Sequence, residues 1–129
     1  MKVIILDDSR TDSYLASKVA MPYFSEIEVY GMPGEFHSAL KKEPLADMIL
    51  MDVHIGNLHN GIGELASIKE QYTAASLIPV VVVTASTDVA LHDFARRNGA
   101  VEVIVKPITD EKLKPILLEL FPELVAEEA

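Results

Sequence analysis

Short apolar runs rich in β-branched residues recur at Lys2 to Leu6, Glu26 to Tyr30, Asp47 to Met51, Pro79 to Val83 and Val101 to Val105. Each has the length and composition of a strand. Between them the apolar residues fall at helical spacing. Tyr14, Leu15 and Val19 follow polar capping residues at Ser9 to Asp12; Phe36, Ala39 and Leu40 form a second stripe that Pro44 stops; Ile62, Leu65, Ala66 and Ile68 form a third. A fourth, Val89, Ala90, Phe94 and Ala95, closes at Asn98-Gly99, a good helix C-terminus. The fifth takes Thr109 as N-cap, with Asp110 and Glu111 in its first turn and Ile108 placed to staple onto Leu113. Pro115 has no backbone donor and predicts a kink or a shifted start.

Strands alternating with helices of this length make βα units, and hence a parallel sheet with helices on both faces. The fold class is therefore α/β, a (βα)5 arrangement. Continuous apolar strands such as VVVV at 80–83 agree with a sheet buried on both sides. No internal repeat and no Gly-rich phosphate loop interrupts the alternation.

Composition narrows the function. At 129 residues with 50% hydrophobic and 24% charged residues, the chain is long enough for a single core. Without cysteine it has no disulfide, thiolate metal site or cysteine nucleophile, and it suits a reducing, cytoplasmic compartment. The longest apolar runs are too short to cross a bilayer, and no signal peptide opens the chain. A net charge of −9, from 11 basic and 20 acidic residues, opposes direct binding to nucleic acid and favours a protein partner or a cation.

In open α/β sheets, ligands sit outside the carboxyl ends of the strands. Here the first strand runs into Asp7-Asp8, the third into Asp52, the fourth into Thr84 and the fifth into Lys106-Pro107. A single Asp, Thr or Lys at a strand end is most simply a solvated terminus or a cap. Three carboxylates, a hydroxyl and an ammonium at the ends of four strands of one sheet are harder to explain that way. Asp7, Asp8 and Asp52 form a hard oxygen site suited to Mg²⁺, which would also relieve the repulsion within the acidic pair. Lys106 could then balance the charge of an anionic ligand and Thr84 could hydrogen-bond its oxygen.

With LDDS, MDVHI, VVVVTAS and VKPIT in this order, the chain resembles the receiver domain of two-component response regulators over essentially its whole length. The resemblance implies a flavodoxin-like sheet of order 2-1-3-4-5. It implies that Asp52 accepts a phosphoryl group from a sensor histidine kinase or phosphotransfer protein. Asp8 would bind Mg²⁺ directly and Asp7 through water, with the backbone carbonyl of His54 as a further ligand. Thr84 would be the switch hydroxyl, Lys106 would pair with the phosphoryl group, and the Lys106-Pro107 bond would be cis. The domain would assist its own phosphorylation and dephosphorylation without being an enzyme in the conventional sense. It would signal to a downstream protein or a linked output domain, through the surface around the fourth helix, fifth strand and fifth helix.

Two departures stand out. Val103 occupies the place of the family's frequent aromatic switch residue, and the HIGNLHNG loop reaches Gly61 one residue late, which predicts a local insertion. The sequence also leaves competitors: an Mg²⁺-dependent phosphohydrolase acting through an aspartyl-phosphate, a receiver-like module that is not phosphorylated, and a transition-metal cluster of Asp52, His54 and His59. Residues 1–121 are expected to form the receiver domain, and 122–129 an acidic tail or the start of a linker.

Overall fold

The computed structural model describes residues 1–55, 59–70 and 74–124, with the backbone alone for 54, 55, 59–62, 64, 70 and 74. Five strands, β1 (Lys2–Leu6), β2 (Glu26–Tyr30), β3 (Met48–Asp52), β6 (Val80–Thr84) and β7 (Glu102–Val105), pair in parallel in the order β2-β1-β3-β6-β7. Numbered among themselves, these strands have the order 2-1-3-4-5. The short strands β4 (His54–Ile55) and β5 (His59–Asn60) form an antiparallel ribbon directly after β3, with His54 opposite Asn60. The segment expected to carry an insertion is thus partly built as a two-stranded ribbon, with Ile55 paired to His59.

Strand alternation sorts the core into two layers. Ile4, Leu6, Ile49, Met51, Val80 and Val82 pack against α2 (Pro33–Leu40), α3 (Gly61–Glu70) and α4 (Val89–Arg97). Val3, Ile5, Leu50, Val81, Val83 and Ile104 pack against α1 (Arg10–Ala20) and α5 (Asp110–Leu120). Every residue of β1, β3 and β6 is buried, as a sheet covered on both faces requires.

Two local expectations need correction. Tyr14 on α1, and Val89 and Phe94 on α4, belong to predicted apolar stripes yet lie exposed; of the same stripes Leu15 and Val19 pack partly buried and Ala95 is buried, and Ala16 and Ala20 add the small buried contacts of α1. Thr109 precedes α5 in extended conformation but its side chain caps nothing. The amide of Lys112, which a capping hydroxyl would engage, is bonded to Thr109's own carbonyl at 3.1 Å. Pro115 lies inside α5, which keeps its predicted start, with Leu113 and Leu117 buried on either side of it. The end of α4 is as the sequence predicts. Gly99 takes φ +115°, and a Cβ there would lie 2.6 Å from Lys69 Cγ, so a side chain is excluded by both conformation and space.

Candidate functional site

The carboxyl ends of β1, β3 and β7 bring Asp7, Asp52 and Lys106 together on the α1/α5 side of the sheet. This follows from alternation, because Ile5, Leu50 and Ile104, two residues earlier on each strand, lie in the same layer. Asp7 and Asp52 are buried, at 6% and 5% exposure, while Asp8 is exposed. One carboxylate oxygen from each of Asp7, Asp8 and Asp52 lies within 4.8 Å of the others. Lys106 Nζ lies 3.1 Å from Asp7 Oδ2 and 3.4 Å from Asp52 Oδ2.

A fourth carboxylate joins them. Asp12 Oδ2 is 3.0 Å from Lys106 Nζ. The sequence hides this role, because an acid in the first turn of a helix is already explained by the helix dipole. The turn before α1 sets the geometry: Ser9 Oγ accepts the Asp12 amide at 3.2 Å and so fixes the first turn, while the Ser9 amide donates to Asp7 Oδ1 at 2.9 Å. The one signal for Asp12 is its spacing of four from Asp8, which returns a third acid to the same end of the helix.

These contacts set the charge states. Burial, reinforced by Asp52, pushes the Asp7 carboxyl above its usual range, against the pull of the Ser9 amide and Lys106. The hydrogen bond from Lys106 holds Asp12 below the usual range. For Lys106 the largest influence is burial, which favours the neutral amine, but Asp12 and Asp7 outweigh it and raise the net value. Four carboxylates around one ammonium carry a formal charge of −3. An all-oxygen set with that excess fits a hard divalent cation such as Mg²⁺ and suits no soft metal.

Thr84 ends β6 fully buried, on the other layer of the sheet from Asp52 by alternation. Its Oγ1 accepts the Ser86 amide at 3.1 Å, and the Ser86 carbonyl lies 2.7 Å from His92 Nε2 on α4. Since a carbonyl only accepts, Nε2 carries the proton. The backbone amide of Lys106 donates to the Thr84 carbonyl at 2.7 Å, and the Lys106-Pro107 bond is cis, as the resemblance implies. Val103 is half-buried against the α2/α3/α4 layer. His54 enters the β4–β5 ribbon two residues after Asp52. Its side chain and that of His59 lie outside what is described, and with them the transition-metal alternative.

Residues 3–118 match the family model described as the response regulator receiver domain. The chain is 29% identical over 125 residues to a Rhizobium etli protein named "Probable chemotaxis protein CheY", covering 96% of this chain and 95% of that one. It is 29% identical over 115 residues to the transcriptional regulatory protein CitT of Halalkalibacterium halodurans, covering 87% of this chain but only 48% of that relative. Among solved structures, the N-terminal signal receiver domain of a two-component response regulator from Bacteroides fragilis superposes with a TM-score of 0.79 at 28% identity, over 92% of this chain and 94% of that one.

Proposed function

The chain belongs to the receiver domains of two-component response regulators, and from that premise we propose that it is a signalling switch phosphorylated on Asp52. The observation that carries this reading is the buried Asp52 carboxylate, grouped with Asp7 and Asp8 and facing the Lys106 ammonium at 3.4 Å. A carboxylate oxygen of Asp52 attacks the phosphorus of a phosphohistidine on a kinase or phosphotransfer protein. The P–O bond forms as the P–N bond breaks, and the bonding pair leaves with the imidazole nitrogen. A Mg²⁺ ion held by Asp7, Asp8, Asp52 and the His54 carbonyl would supply charge neutralisation for the phosphoryl oxygens. Lys106 provides a mobile ammonium for one of these oxygens, and the Thr84 hydroxyl, whose oxygen accepts the Ser86 amide, has its proton to donate to another. The protein's part is positioning and electrostatics.

The output lies on the surface around α4, β7 and α5, where Val89, Phe94, Val101 and Leu118 are exposed large apolar residues. A partner protein or linked output domain would cover them. Residues 1–121 form the signalling unit, and 122–129 a tail or the start of a linker; Leu124 still packs on the α1/α5 layer, and residues 125–129 lie outside the described residues. The working compartment is the cytoplasm, where histidine kinases present their phosphohistidine.

Intact-mass measurement after incubation with Mg²⁺ and either a small acyl phosphate or a phosphorylated histidine kinase tests the proposal. One phosphoryl adduct is expected, absent from Asp52→Asn and absent without Mg²⁺. An unmodified mass with both donors overturns the reading. Many turnovers of phosphate release from simple phosphate esters would place the chain among phosphohydrolases.

A further inference from the structure

Lys106 is shared unevenly. An ammonium has three protons to donate, and charge-assisted bonds to carboxylates run to about 2.7–2.9 Å. Its shortest contact is to Asp12 at 3.0 Å, the next to Asp7 at 3.1 Å, and the longest to Asp52 at 3.4 Å. Asp12 differs from the other two in origin. It comes from the first turn of α1 rather than from the sheet, and its side chain remains 39% exposed at the edge of the site. The Asp12 backbone is fixed by Ser9, which caps the helix and bonds Asp7 at the same time. Asp12 is therefore anchored independently of Asp52 and pulls the ammonium from one side.

We infer that Asp12 is a positioning residue for phosphoryl transfer, holding Lys106 back from the Asp52 nucleophile until a phosphoryl oxygen arrives to take the ammonium. The inference rests on the reading of Asp52 as the phosphoryl acceptor. Its physical basis is competition. A carboxylate in a tight ion pair is a poorer nucleophile, because the lone pair that must form the P–O bond is spent on the ammonium. Without the charge at Asp12, Lys106 has only Asp7 and Asp52 to share, and it closes on Asp52. With Asp12 in place, one proton of the ammonium stays on α1 while another is offered to the incoming oxygen. Asp12 acts on the acceptor through its ion pair with Lys106.

The test compares Asp12→Asn and Asp12→Glu with the unsubstituted full chain at Mg²⁺ concentrations saturating for each protein. The rate at saturating small acyl phosphate should fall by about tenfold in Asp12→Asn, while the half-saturating donor concentration stays level or drops, because an anionic donor meets one negative charge fewer. Asp12→Glu should recover most of that rate. The side-chain ammonium of Lys106, observed by ¹⁵N NMR and assigned by its loss in Lys106→Arg, should shift in Asp12→Asn and return in Asp12→Glu. A saturating rate within twofold of the unsubstituted protein overturns the inference, and so does a slowdown without a change in the Lys106 signal. If the unsubstituted protein takes no phosphoryl group, the proposed function fails instead, and the ammonium signal alone then decides whether Asp12 holds Lys106.

Discussion

Two lysines are nearly buried in ion pairs, and they are built differently. Lys2, near the start of β1, points its ammonium at Glu28 Oε2, 3.0 Å away, and at the Pro44 carbonyl at 3.3 Å; Glu28 in turn accepts the Tyr30 hydroxyl at 2.6 Å. One cation pairs with one anion, and each has one further hydrogen bond to a neutral group. Lys106, at the other end of the sheet, meets three carboxylates, and the exposed Asp8 completes a group with net negative charge. Burial alone does not separate the two, since the lysine side chains are 8% and 14% exposed. The balance of charge does. A balanced pair holds strands together, whereas an excess of acid is a standing electrostatic cost that binding a cation relieves.

Removing each ammonium should expose the contrast most strongly. In Lys106→Met the buried Asp7 and Asp52 face each other without a cation, and metal-free stability should fall by about 3 kcal/mol in urea unfolding at neutral pH. In Lys2→Met the partner Glu28 keeps its Tyr30 hydroxyl and is a third exposed, so the loss should stay below about 1 kcal/mol. The response to Mg²⁺ should not depend on the Lys2 pair. At about 100 times its Kd the ion should stabilise the unsubstituted protein and Lys2→Met alike by about 2.7 kcal/mol. Equal losses in the two variants would dissolve the distinction drawn between the pairs.

Neutralising an acid should then give opposite signs at the two places. Asp7→Asn keeps an oxygen for the Ser9 amide and removes one negative charge from a crowded site, so the metal-free protein should gain about 1 kcal/mol. The same change should weaken Mg²⁺ binding at least tenfold, measured by titration calorimetry. Glu28→Gln removes the carboxylate that pairs with the Lys2 ammonium and should destabilise, with Mg²⁺ affinity untouched. A metal-free Asp7→Asn less stable than its parent would show that Asp7 serves the fold first.

How much of this was legible in the sequence follows from which signals are local. The five long strands and the polar residue closing each of four of them are read from composition at one place in the chain, and all of them stand where expected within a residue or so. Asp12 was not legible as part of the site, because its meaning depends on a lysine 94 residues away and its local context already accounts for an acid. The exposed Val89 and Phe94 mislead for the related reason that periodicity marks an apolar face without saying whether a sheet or a partner covers it. Thr84 is placed as predicted, but its present bond to Ser86 is a property of the loop that follows, which no strand-end rule describes.

The finest test of the comparison is pH. Asp7 is held above its ordinary value of 3.8 chiefly by burial, so the native protein keeps that proton more tightly than the unfolded chain does. Stability from this group is therefore lost as pH rises from about 3.8 through the raised value, and Asp7→Asn should gain on its parent across that interval. Glu28 is held below its ordinary 4.5, first by the Tyr30 hydroxyl and then by Lys2. Its contribution is present above 4.5 and disappears as pH falls through the lowered value, so Glu28→Gln should converge on its parent toward acid. Urea midpoints between about pH 3 and 7 in the presence of a chelator should trace two difference curves, and both should widen with rising pH. Their signs should differ, the Asp7 curve favouring the variant and the Glu28 curve the parent. Two curves of one sign would mean that the acid-rich end of the sheet is held together by the same balanced pairing as Lys2, and that it has no surplus of charge for a cation to neutralise.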